Sequence, residues 1–237
     1  MFCHIPSSSL TCSPIEDVNR LSGNPTCIRP TGLLHSFTMN KQTDYDTREQ
    51  LLATGESLCM QRGFTGMGLS EMLKTAEVPK GSFYHYFRSK EAFGVAMLER
   101  YFAGYHQRLA QHFASGSGNY RDRILAYYQE TLNQFCQQGT ISGCLTVKLS
   151  AEVCDLSEDM RTAMDNGARG IIALLAQALE KGRAARCLSF VGEPLQQAQI
   201  LYALWLGANL QAKISRSAAP LENALAHVQT IIAAPDR

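Results

Sequence analysis

Two groups of side chains in this 237-residue sequence are equipped for chemistry. The first centres on Cys144, which follows Gly143 where a helical pattern begins, so that free amides and the helix dipole favour thiolate over thiol. Lys148, one helical turn on, lies on the same face and adds positive charge. Such a thiolate would add to quinones, maleimides or aldehydes, or be oxidised by hypochlorous acid to the sulfenic level. Lys213 is a second unusual group, an amine near the end of an apolar segment. Two roles are open to it: it snorkels to solvent at the helix end, or it approaches Cys144 and pairs with, or bonds to, the oxidised sulfur.

The second group lies between Val78 and Lys90, where Lys80, Arg88 and Lys90 accompany a histidine and no acid. Lys80, Ser82, Tyr84 and His85 fall in the first turns of a short helix, positions from which side chains reach base edges and phosphates. Gly81 carries no Cβ and allows close backbone approach to nucleic acid. Lys90, with the amides opening the next helix, and Arg48 on the first helix are candidate phosphate contacts. Phe64, Phe83 and Phe87 are assigned to the small core around them.

These groups need helices to position them. Periodic apolar residues predict helices over 47–61, starting from Asp46 or Thr47 as N-cap, then 69–76 and 80–87. The break at Glu77-Val78-Pro79 is the tight turn of a helix-turn-helix, in which the second helix lies in a DNA major groove. Ser89 caps a long fourth helix, and further helices follow near 120–137, 144–153, 158–186, 194–215 and 220–233. No strand alternation occurs, so the fold class is all-α. An N-terminal three-helix DNA-binding domain over 39–90 precedes a helical sensing and dimerisation bundle over 91–237.

The run Gly63-Phe64, Leu69, Met72, Ala76, Val78 and then Lys80-Gly81-Ser82-Phe83-Tyr84-His85-Tyr86-Phe87-Arg88-Ser89-Lys90-Glu91 resembles the signature of the TetR/AcrR family of repressors. The resemblance covers 39–237 and implies a homodimer on a near-palindromic double-stranded operator, regulated through its helical bundle. Ser142 to Glu152 is similar to members that respond to reactive electrophiles, which implies control of detoxification genes. Three positions depart from the family pattern. Glu77 stands where a turn glycine is usual, Pro79 replaces a capping serine, and Met67-Gly68 replaces a threonine pair.

Composition narrows the rest. The 22 Lys and Arg against 21 Asp and Glu leave a net charge of +1, so no whole-molecule field attracts nucleic acid and charge must act locally. The eight cysteines show no CxxC and no zinc spacing, so neither metal nor cofactor is expected. They are too sparse for a disulfide framework and suit a reducing cytoplasm. Cys59 and Cys136 sit with apolar neighbours as packing residues, and Cys154 is about 15 Å from Cys144 if the segment stays helical. No segment is apolar enough to span a membrane. Residues 1–38, proline- and serine-rich with no periodicity, are expected to be a disordered extension, with Met39 a candidate translation start. Two other functions compete with thiol sensing in a repressor. One is a repressor induced by a non-covalent ligand; the other is a thiol enzyme, for which no histidine partner to Cys144 is recognisable.

Overall fold

The computed structural model describes residues 36–139 and 144–234, with side chains from Asp46 onward. Of the residues 1–38 expected to be disordered, 1–35 lie outside the described residues and 36–38 are helical. Among the described residues the chain forms nine helices: α1 (Ser36–Gly66), α2 (Leu69–Thr75), α3 (Lys80–Tyr86), α4 (Lys90–Ser115), α5 (Tyr120–Gln138), α6 (Leu145–Leu156), α7 (Glu158–Ala184), α8 (Pro194–Ser215) and α9 (Ala219–Ile231). None is long and apolar enough to cross a membrane.

The first helix differs from the sequence reading at both ends. It begins at Ser36 and passes straight through Asp46 and Thr47, which are therefore interior residues and not N-caps. At the other end the helix is interrupted at Gly63, with φ 81° and ψ 172°, a conformation that glycine alone adopts without strain. Downstream boundaries agree to within a few residues, and α8 spans Pro194–Ser215 as expected.

Local chemistry explains the other ends. The Ser89 hydroxyl accepts from Ala92 N at 3.0 Å to cap α4. Asn119 and Asp122 close a reciprocal capping box on α5, and Gly139 ends that helix in the left-handed region. The α2–α3 turn is a Schellman closure: Val78 N donates to Leu73 O at 3.0 Å and Glu77 N to Lys74 O at 3.3 Å. That closure needs a left-handed residue between, and Glu77 takes it at φ 54°. Pro79 and Gly68, at the N-caps of α3 and α2, supply no side-chain cap.

One continuous apolar core joins the DNA-binding helices to the bundle. Phe83 and Phe87 of α3 meet Phe93 of α4 with ring centroids 5.7 and 5.0 Å apart. Two turns further along the same face of α4, the Arg100 guanidinium pairs with Glu49 and Glu56 of α1, the latter at 2.6 Å. Within the bundle α4 packs along α7, α7 on α8, and α8 on α9. The helix-turn-helix is thus fixed to the first two turns of α4, and the bundle is layered behind it.

Replacing Glu77 by glycine removes the strain of a left-handed L-residue, worth about 1 kcal/mol. Thermal unfolding of Glu77→Gly is expected at a higher midpoint than the parent; an equal or lower midpoint would show that the carboxylate earns its place in the turn.

Candidate functional site

The α3 face exposes most of the residues expected to contact DNA. Lys80, Gly81, Tyr84 and His85 are exposed and Ser82 is half-buried, while Phe83 between them is fully buried against α4. Tyr84 is 53% exposed, so it is not part of the core. A Cβ built on Gly81 would meet nothing within 4 Å, so no contact inside the protein requires glycine there. Arg48 lies over the Phe87 ring, 5.4 Å from its centroid, which orients its guanidinium beside the same surface.

Lys90 is placed differently from the free phosphate contact expected of it. Its Nζ donates to Phe64 O at 2.9 Å and stands 4.8 Å from the centre of the Phe64 ring. The charge therefore serves first to hold the end of α1 against α4.

Cys144 is the N-cap of α6, as the Gly143-Cys144 pattern predicts, and lies partly buried on the wall of a cavity of about 140 Å³. Tyrosines dominate that cavity: Tyr101 and Tyr105 from α4, Tyr127 and Tyr128 from α5, and Tyr202 from α8, with Trp205 beyond. Tyr101 Oη accepts from Leu145 N at 3.4 Å, fastening the first turn of α6, and the Tyr105 and Tyr127 hydroxyls meet at 2.7 Å.

The thiol's acidity corrects the sequence reading. Burial raises the Cys144 pKa, and this outweighs the amides of Val147 and Thr146 and the Lys213 ammonium, all of which lower it. The helix start and the amine act in the anticipated direction, but desolvation, invisible in the sequence, is larger. Lys213 itself is exposed near the end of α8, and its positive charge lowers the Cys144 pKa.

Lys148 does not support Cys144. Its Nζ donates to Gln61 O at 3.3 Å, at the end of the regular part of α1. Four residues further along α6, the Glu152 carboxylate accepts from Phe64 N at 3.0 Å and from Thr65 N. A Cβ on Gly63 would stand 2.7 Å from Glu152 Oε2, so the glycine also admits the carboxylate. The sequence reading missed Glu152. Its signal was the spacing of Cys144, Lys148 and Glu152 at successive helical turns, which puts all three along one side of α6. Helix α6, like α4, thus contacts both the bundle cavity and the DNA-binding helices. Among the other described cysteines, Cys59 is fully buried, with its pKa pushed up to about 12 by desolvation, which fits its assignment to packing.

Comparison with known proteins agrees with this architecture. Residues 51–97 match the model of bacterial regulatory proteins of the tetR family, and residues 105–228 match the tetracyclin repressor-like C-terminal domain. The HTH-type transcriptional repressor NemR of Escherichia coli K12 is 83% identical over 197 residues, which is 83% of this chain and 99% of that protein. The transcriptional regulator AcuR of Cereibacter sphaeroides is 32% identical over 175 residues, covering 74% of this chain and 80% of the relative. The crystal structure of E. coli NemR in its reduced form superposes with a TM-score of 0.78 at 81% identity, covering 81% of this chain and all of that one. Close relatives are thus transcriptional repressors and not enzymes. With matching models over both its DNA-binding helices and its bundle, the chain belongs to the TetR family of bacterial transcriptional regulators.

Proposed function

We propose that this protein is a cytoplasmic, homodimeric repressor of genes for electrophile and oxidant detoxification, released from its operator when Cys144 is modified. One observation carries the reading: Cys144 both faces the bundle cavity and caps the helix whose next turns hold the α1–α2 connection through Lys148 and Glu152. An adduct at the sulfur therefore acts on a rigid element that ends at the DNA-binding helices.

The operator contacts are those of α3. Lys80 and His85, with Ser82, meet phosphates and base edges, Tyr84 offers a ring and a hydroxyl, and Arg48 adds a phosphate contact from α1. Lys90 belongs to this set through its hold on Phe64, with the amides opening α4 beside it. Two copies of α3 address a near-palindromic site whose half-sites are about 34–36 Å apart. The exposed apolar residues Ile200, Leu210 and Ile214 of α8 support pairing of the two copies.

The chemistry begins from a protonated thiol. An electrophile adds at the thiolate fraction, which the Thr146 and Val147 amides and Lys213 sustain against burial. With hypochlorous acid the sulfur loses two electrons, giving the sulfenic acid and hydrogen chloride. The Lys213 amine then attacks that sulfur, water leaves, and an S–N bond joins α6 to α8. A coupling of about 1–3 kcal/mol between modification and DNA binding lowers affinity 5- to 150-fold, so small displacements suffice.

The cavity also supports the alternative of induction by a non-covalent ligand, and titration of operator DNA separates the two. Cys144→Ser is expected to bind the operator as the parent does and to stay bound after N-ethylmaleimide or hypochlorous acid treatment, with peptide mapping of the parent placing the adduct on Cys144. Full induction of Cys144→Ser would favour the non-covalent reading. Removing the ammonium in Lys213→Ala raises the thiol pKa further, so the rate of Cys144 alkylation against pH shifts to higher pH and falls at pH 7, and the response to hypochlorous acid is lost. An unchanged rate profile and oxidant response would remove Lys213 from the site. Gly81→Ala should gain about 0.5–1 kcal/mol in thermal stability yet lose operator affinity. Stability and affinity rising together would place Gly81 outside the interface.

A further inference from the structure

Tyr128 is 1% exposed, lines the same cavity as Cys144, and its hydroxyl is the buried side-chain polar atom without a hydrogen-bond partner among the described residues. Leaving a phenol hydroxyl unsatisfied in an apolar setting costs about 1–3 kcal/mol, far more than substituting phenylalanine would. Its neighbours explain why no protein group answers it. The ring is held edge-on between Trp205, 4.7 Å away, and Tyr127, 4.9 Å away, while the Tyr127 hydroxyl is taken by Tyr105. Tyr105 stands within electrostatic reach of both Tyr128 and Cys144, so the orphan donor and the nucleophile belong to one enclosed site. Burial raises the Tyr128 pKa, so the group is a proton-bearing donor at any physiological pH.

We propose that Tyr128 is the positioning donor for carbonyl-bearing electrophiles, its hydroxyl hydrogen-bonding the ligand's carbonyl oxygen while the conjugated carbon is presented to Cys144 Sγ. The proposal rests on the sensor reading of Cys144 and names the ligand class that site selects: α,β-unsaturated carbonyl compounds of the size of one small ring. In the addition the sulfur lone pair forms the C–S bond at the β-carbon. The C=C π pair moves toward the carbonyl, and negative charge collects on the oxygen that Tyr128 faces. The α-carbon then takes a proton from solvent, replacing the one released by the thiol, so the product is the saturated thioether and no oxidant is consumed. The tyrosine keeps its proton throughout. A donor aimed at developing charge accelerates this class only; reagents that transfer a group to sulfur without charging an oxygen gain nothing from it.

The test compares two thiol reagents on the intact protein and on Tyr128→Phe, following the Cys144 adduct by peptide mass at pH 7. N-ethylmaleimide carries the conjugated carbonyl; methyl iodide has no oxygen and leaves as iodide when the sulfur is methylated. The variant is expected to react with N-ethylmaleimide roughly tenfold more slowly or worse, to react with methyl iodide at the parent rate, and to melt no lower than the parent. Unchanged N-ethylmaleimide kinetics overturn the proposal, and so does an equal slowing with both reagents, which would make the tyrosine a packing residue. If neither reagent labels Cys144 in the parent protein, the sensor reading falls first and this inference with it, a result distinct from selective loss in the variant.

Discussion

The molecule turns on a carboxylate that accepts hydrogen bonds from two backbone amides. Gly63 breaks α1 at φ 81°, and the break frees the amides of Phe64 and Thr65, which the helix can no longer satisfy. Glu152, reaching across from α6, accepts from both. Phe64 is held from the opposite side as well, its carbonyl by Lys90 of α4. The connection into the helix-turn-helix is thus gripped by two bundle helices through charge-assisted bonds, which are stronger than neutral ones. Helix α6 touches the DNA-binding part here and the cavity at its other end, and α4 spans the same two places through Phe93 and Tyr101.

Under the proposed sensor role of Cys144, enclosure of the sulfur decides which reagents it can meet. An exposed low-pKa thiol reacts with whatever arrives, whereas burial raises the pKa of Cys144 and the residue lines a tyrosine-rich cavity. Selectivity in such a site comes from what fits and what the walls recognise. The aromatic residues that make the cavity also set the register of α4, α5 and α8, so recognition and packing use the same side chains.

Much of this was legible in the sequence. Apolar periodicity located the helices, since helix faces are dictated by burial, and the Glu77 to Glu91 run located the α2–α3 turn, α3 and the Ser89 cap because these are local features. Glu77 was readable too: a six-to-one closure needs a left-handed residue whatever its identity, and the structure gives it φ 54°. What failed were quantities that depend on distant neighbours. Lys148 shares a helix with Cys144, but its amine finds the Gln61 carbonyl 87 residues away in the chain. The net rise in the Cys144 pKa comes from burial in a cavity walled by α4, α5 and α8, of which α4 and α8 lie far from it in sequence. Glu152 escaped notice because a carboxylate on a helix surface is ordinary until the amides opposite it are known.

Helix α8 has two working sides. Tyr202, Trp205, Leu206 and Asn209 wall the cavity, while Ile200, Ala203, Gly207, Leu210 and Ile214 recur at three- and four-residue intervals as an outward apolar seam with open space over Gly207. Only the thickness of one helix, about 10 Å, separates them. Where that seam pairs two copies, self-association and cavity occupancy become linked equilibria: whatever tightens one copy's cavity alters the strength of pairing, and pairing reciprocally alters the affinity of both cavities. Dose–response curves for such a protein would then vary with its own cellular abundance.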